Sequence, residues 1–79
     1  MAKYSPIWHT IKAAGSAEVS VSKGNARTVK TGVIDSKKHE NAVRKMAGLP
    51  RYPKLVITET SLSDYMVKIK FELLYSIKL

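Results

Sequence analysis

From Tyr65 to Leu79 every odd position is apolar: Tyr65, Val67, Ile69, Phe71, Leu73, Tyr75, Ile77 and Leu79. The even positions include Lys68, Lys70, Glu72, Ser76 and Lys78. A period of two marks a strand with one buried and one solvated face, so this ribbon commits the chain to a sheet that is covered on a single side. Fifteen extended residues would run for about 50 Å, well beyond the usual strand of about five or six residues. The far end must bend and re-pair within the chain, or pair with another chain by strand exchange or edge addition. Residues 74–79 are the part expected to reach an oligomer or partner contact, with Leu73, Tyr75, Ile77 and Leu79 as its apolar side.

The rest of the chain supplies the cover. Pro6 suits a first helical turn after Ser5, the residues Ile7, Trp8, Ile11 and Ala14 repeat at three-to-four spacing, and Gly15 is a natural left-handed stop. A short helix over 6–14 is expected, with Trp8 and Ile11 toward the core and His9 and Lys12 outward. Ala17, Val19 and Val21 then alternate with Glu18, Ser20 and Ser22 as a half-buried strand. After Lys23-Gly24-Asn25, with Asn25 as a cap, Ala26, Val29 and Val33 define one helical stripe and Ala42, Val43, Met46 and Ala47 another, ending at Gly48. The two stripes are out of phase. One bent helix or two helices fit this stretch, and Gly32 with the Asp35-Ser36 pair favours a break near Asp35. Leu49-Pro50-Arg51-Tyr52-Pro53 is a stiff connection to a hairpin that begins at Leu55-Val56-Ile57 and turns at Thr60–Ser63.

The expected fold class is α+β: a small two-layer α/β sandwich in the order α-β-α(α)-β-β, with helices on one face of a three-stranded, largely antiparallel sheet. Residues 1–79 read as a single basic domain. The strand, helices, strand order between Ala17 and Thr60 resembles the core of the KH nucleic-acid-binding fold in topology. The Gly-x-x-Gly clamp of that family is not matched, because Gly32-Val33-Ile34-Asp35-Ser36-Lys37-Lys38 holds a single Gly. An RNA-recognition motif would show aromatic side chains to solvent from its sheet, whereas Tyr65 and Phe71 fall on the expected buried face. Neither family is assigned.

Charge points to the partner. Of fourteen Lys and Arg, nine lie between Lys23 and Lys54, with two of the six carboxylates, a local surplus of seven within a net charge of +8. Each phosphate neutralised by a cation releases condensed counterions, so a polyanion suits this window. Three groups are expected to hold it. Lys23, Arg27 and Lys30 surround a Gly-containing loop that opens a helix, where free amides favour an anion or Asn25 merely caps. Lys37, Lys38, Arg44 and Lys45 share one side of a helix with a single carboxylate, either as a binding face or as solvated charge. Arg51, Tyr52 and Lys54 put an aromatic ring between prolines and cations, to stack on an unpaired base or to cover the core edge. Lys68 and Lys70 on the open sheet face add phosphate contacts, or guard an edge strand from aggregation.

No catalytic constellation is visible. His39-Glu40 lacks a second His at zinc-helix spacing, there is no Cys, and Asp35, Ser36 and His39 read as helix-start residues rather than a triad, so no enzyme, metal or cofactor is expected. A chain this short encloses little volume for an active site. No apolar run is long enough for a membrane span or a signal peptide, and the absence of Cys suits a reducing compartment, so a cytoplasmic location is expected. The leading reading is a small nucleic-acid-binding protein, for DNA or RNA, that contacts the phosphate backbone with limited sequence specificity. The alternative is a protein-protein interaction module or inhibitor that binds an acidic surface, adds its C-terminal strand to a partner sheet, or self-associates.

Overall fold

The computed structural model describes residues 5–74. Helix α1 covers Ser5–Ala14, strand β1 Ser16–Ser22, helix α2 Ala26–Met46, strand β2 Lys54–Ser61 and strand β3 Met66–Leu74, with a single 3₁₀ turn at Lys23–Asn25 leading into α2. The class is α+β, and the order α-β-α-β-β agrees with the sequence pattern. All pairings are antiparallel and the sheet order is β1-β3-β2. The strand with the strongest alternation therefore sits in the middle.

Its register explains the layering. Ala17, Val19 and Val21 lie opposite Phe71, Ile69 and Val67, while Leu55 and Ile57 lie opposite Leu73 and Phe71. Directly opposed residues share a face, so these apolar side chains form one sheet surface beneath the helices. Trp8, Ile11, Ala26, Val29, Val33, Val67, Ile69, Phe71 and Leu73 make the buried core. Phe71, Ile69, Ile11 and Val33 are fully enclosed, and burial of each such side chain contributes on the order of 1.5–3 kcal/mol. Gly15, at φ 86°, ends α1 in a left-handed conformation with its N–H bonded to the Ile11 carbonyl, which turns the chain directly into β1.

Several expectations need correction. First, α2 is one helix with no break at Asp35. Its buried stripe runs Ala26, Val29, Val33, Ser36 and continues through the partly buried Glu40 and Arg44, so the inward side keeps its phase while its chemistry changes from apolar to polar. Ser36 is an interior residue that donates to the Gly32 carbonyl at 3.1 Å, not a cap, and Asn25 makes no side-chain capping hydrogen bond. Second, the second apolar set is not core: Val43 is 52% and Met46 88% exposed, because the end of α2 lies off the core cluster. Third, β3 is not an edge strand, so Lys68 and Lys70 do not guard an edge. Leu73 is 4% exposed, lies opposite Leu55 and donates its N–H to the Gly15 carbonyl at 2.9 Å, so it belongs to the core and not to a partner-seeking strand. Tyr75, Ile77 and Leu79 lie outside the described residues. Tyr65, expected on the buried face, precedes β3 and is 79% exposed.

Candidate nucleic-acid interface

The polar half of the inward side of α2 fixes how the end of the helix is held. Glu40 accepts hydrogen bonds from the Trp8 indole N–H and from Lys12 Nζ, the latter at 2.9 Å, and so ties α2 to α1. Burial would raise the Glu40 pKa, but the hydrogen bonds from Lys12 and Trp8 and the nearby positive charges of Lys12 and His9 outweigh it and hold the carboxyl below its ordinary value. The next residue, Asn41, accepts the Tyr52 backbone N–H on its Oδ1 at 2.8 Å, and one turn on from Glu40, Arg44 donates to the Pro50 carbonyl at 2.6 Å. The Arg44 guanidinium lies 4.4 Å from the centre of the Tyr52 ring, which itself meets Trp8 in a T-shaped contact at 5.1 Å. These contacts clamp the 49–53 connection to α2.

The clamp gathers cations that are distant in sequence. Lys38, Asn41, Ala42 and Lys45 on α2 and Arg51 on the connection line one open depression of about 260 Å³. Among the described residues, none of those lining it is acidic. The solvent side of α2 extends the same polarity. Arg27, Lys38 and Lys45 are exposed and stand at intervals that return to the same helix side, and from Arg27 to Lys45 is five full turns, about 27 Å.

Other candidates are used within the fold. Lys30 pairs with Glu59 at 3.1 Å, Arg44 is held by Tyr52 and Pro50, and Lys37 is half-buried. Tyr52 is likewise packed between Trp8 and Arg44, as an edge of the core rather than a presented ring. Lys23 is exposed beside Gly24 and Asn25 at the start of α2, and Lys54 is exposed at the start of β2. On the open sheet face Lys68 is flanked by Ser20 and Thr60, whereas Lys70 lies opposite Glu18 and next to Thr58. With Glu72 on the same face, this surface is mixed in charge and less basic than the depression at α2.

Sequence reading missed two features. The union of Lys38 and Lys45 with Arg51 depends on Asn41 and Arg44 holding the connection, and no spacing in the chain encodes that contact. The exposure of Tyr65 was hidden because the alternation places it in phase with Val67, though Ser63-Asp64 before it is a turn signal. Among the described residues there is no group of three or more His, Asp or Glu side chains placed to hold a metal ion, and no helix is long and apolar enough to cross a membrane. Ser36 is buried against the Gly32 carbonyl while Asp35 and His39 are exposed. Comparison of the chain with protein-family models, with curated proteins and with solved structures finds no match in any of the three.

Proposed function

We propose that the protein is a non-enzymatic nucleic-acid-binding protein of the cytoplasm that holds the phosphate backbone of DNA or RNA on α2. The observation that carries this reading is the convergence of Lys38, Lys45 and Arg51 on one open depression without an acidic lining residue. Like charges gathered this closely repel one another, so the arrangement costs stability in the free protein and is relieved by a polyanion. Arg27, further along the same helix side, lets the backbone be tracked beyond the depression. Contacts from Lys and Arg to phosphate carry no sequence information directly, so binding is backbone-directed with limited sequence preference.

The test is fluorescence anisotropy with labelled single- and double-stranded DNA and RNA at several salt concentrations. The parent protein should bind at micromolar concentration or tighter near physiological salt. Replacing Lys38, Lys45 and Arg51 together by Gln should weaken binding and reduce the log-log salt slope by about 2 to 3, since each phosphate contact adds about 0.7 to 0.9. This set leaves Arg44 and its contact with Tyr52 untouched, so folding is preserved. Binding confined to very low salt, or a slope that does not change, would sink the proposal.

A second reading rests on a different observation. Val43, Met46 and Leu49 are all more than half exposed on the same end of α2, and cations border them. An interaction module that docks an acidic, partly apolar protein surface, or a second copy of the chain, would use this side.

A further inference from the structure

The hairpin turn between β2 and β3 carries a second exposed patch, far from the depression on α2. Leu62 is 51%, Tyr65 79% and Met66 37% exposed there. The turn is nonetheless tightly built. Ser63 Oγ accepts the backbone N–H of Tyr65 and of Met66 at 3.2 and 3.1 Å, Leu62 N–H is bonded to the Met66 carbonyl at 3.0 Å, and Ser61 Oγ donates to the Ser63 carbonyl. The Tyr65 carbonyl in turn accepts the Lys23 N–H at 2.8 Å. The turn is thus tied to the segment that opens α2. An aromatic side chain on an ordered backbone, with its ring in solvent, is presented at low entropic cost.

The surroundings select the occupant. Lys23 is bound to the turn through its own backbone, and Arg27 lies one helical turn beyond it; both are exposed. Asp64 in the turn is the one carboxylate among these groups, so cations outnumber it. An exposed ring on a turn tied to Lys23, with Arg27 one helical turn beyond, matches a nucleotide whose base is free of a partner strand and whose phosphates carry the charge. A paired base offers no face to such a ring.

We propose that Tyr65 stacks an unpaired nucleobase, with Lys23 and Arg27 on the neighbouring phosphates, and that the protein therefore prefers single-stranded nucleic acid. This inference rests on the nucleic-acid reading above and adds the form of the ligand and the residue that selects it.

The experiment compares the parent protein, Tyr65→Ala, Tyr65→Phe and the Lys38, Lys45, Arg51→Gln triple variant, on one single-stranded oligonucleotide and its duplex, each at the same series of salt concentrations. Circular dichroism and Trp8 fluorescence check the fold. Tyr65→Ala should lower the ratio of single-strand to duplex affinity by roughly 5- to 150-fold, the range of one base-on-ring contact, and Tyr65→Phe should retain the ratio. The triple variant should weaken both ligands and flatten the salt slope, which Tyr65→Ala should not do. If the parent binds but Tyr65→Ala keeps its ratio, the stacking proposal is overturned and the phosphate reading stands. If Tyr65→Ala instead changes only the oligomeric state in light scattering, the patch is a contact between copies and the proposal is overturned. No binding of either ligand by the parent removes both readings.

Discussion

The Glu40 carboxylate offers a test of how the two helices are joined. Trp8 is 1% exposed and its indole N–H points at Glu40, so in Glu40→Ala that donor loses its acceptor where water reaches it poorly. An unsatisfied buried donor costs about 1–3 kcal/mol. The Lys12–Glu40 pair, at 2.7 Å but with side chains 22% and 30% exposed, adds no more than about 1 kcal/mol after screening. Glu40→Ala should therefore lose about 2–3 kcal/mol. Glu40→Gln keeps a carbonyl oxygen for the indole and gives up only the charge, so it should lose about 0.5–1 kcal/mol. At about 2.1 cal/mol/K per residue, a chain of 79 residues loses about 6 °C of Tm for each kcal/mol, which separates the two variants by about 10 °C. Thermal melts followed by circular dichroism, and urea titrations followed through Trp8, the chain's single tryptophan, would measure this. Midpoints for the two variants within about 2 °C of each other would refute the view that the indole hydrogen bond matters more than the ion pair. Acidity supplies a second axis. Because the Glu40 pKa is lowered in the folded protein, its contribution is fully present above its ordinary value of 4.5 and is lost as pH falls through the lower folded value. The stability difference between the parent and Glu40→Gln should accordingly shrink below about pH 4.5.

Two further variants probe the end of α2. Asn41→Ala removes the acceptor for the Tyr52 N–H and should cost about 1 kcal/mol in urea unfolding, together with weaker oligonucleotide binding, because Arg51 is then no longer held beside Lys38 and Lys45. A loss of stability with unchanged binding would show that the connection needs no clamp. Val43→Lys with Met46→Lys should change stability by less than about 0.5 kcal/mol per site, where truncation of a buried Met would cost about 2–5 kcal/mol; a core-sized loss would show that these side chains are covered in solution.

Much of this architecture is legible in the chain. The alternations in β1 and β3, the Trp8 and Ile11 stripe, and the two glycines that stop the helices at positive φ all express local rules that tertiary contacts reinforce. The reading fails where apolar residues are taken to mean core. Val43 and Met46 suggest a second buried stripe and hence a break in α2, whereas the inward positions there are Glu40 and Arg44, whose polar groups are satisfied by Trp8, Lys12, Tyr52 and Pro50. Periodicity alone does not separate an apolar face that is packed from one that is left open. The candidate site is legible as charge, but its geometry is not. Which of nine clustered cations converge is decided by Asn41 capturing Tyr52 and by Glu59 capturing Lys30, both long-range contacts.

The place of β3 between β1 and β2 bears on how the chain acquires its structure. Each outer strand is hydrogen-bonded to β3, and Ala17 pairs with Phe71 across more than fifty residues of sequence. Helical segments can form as soon as they are made, but no fragment that stops before Met66 contains any of the sheet described here. At roughly 5–20 residues per second of synthesis, Val19 and Val21 wait several seconds for the strand that will cover them. Ladder formation is consequently a late, long-range closure rather than a stepwise addition, and the interval before it is when exposed β1 is open to capture by another chain. Val67, Ile69 and Phe71 act as a keystone laid last.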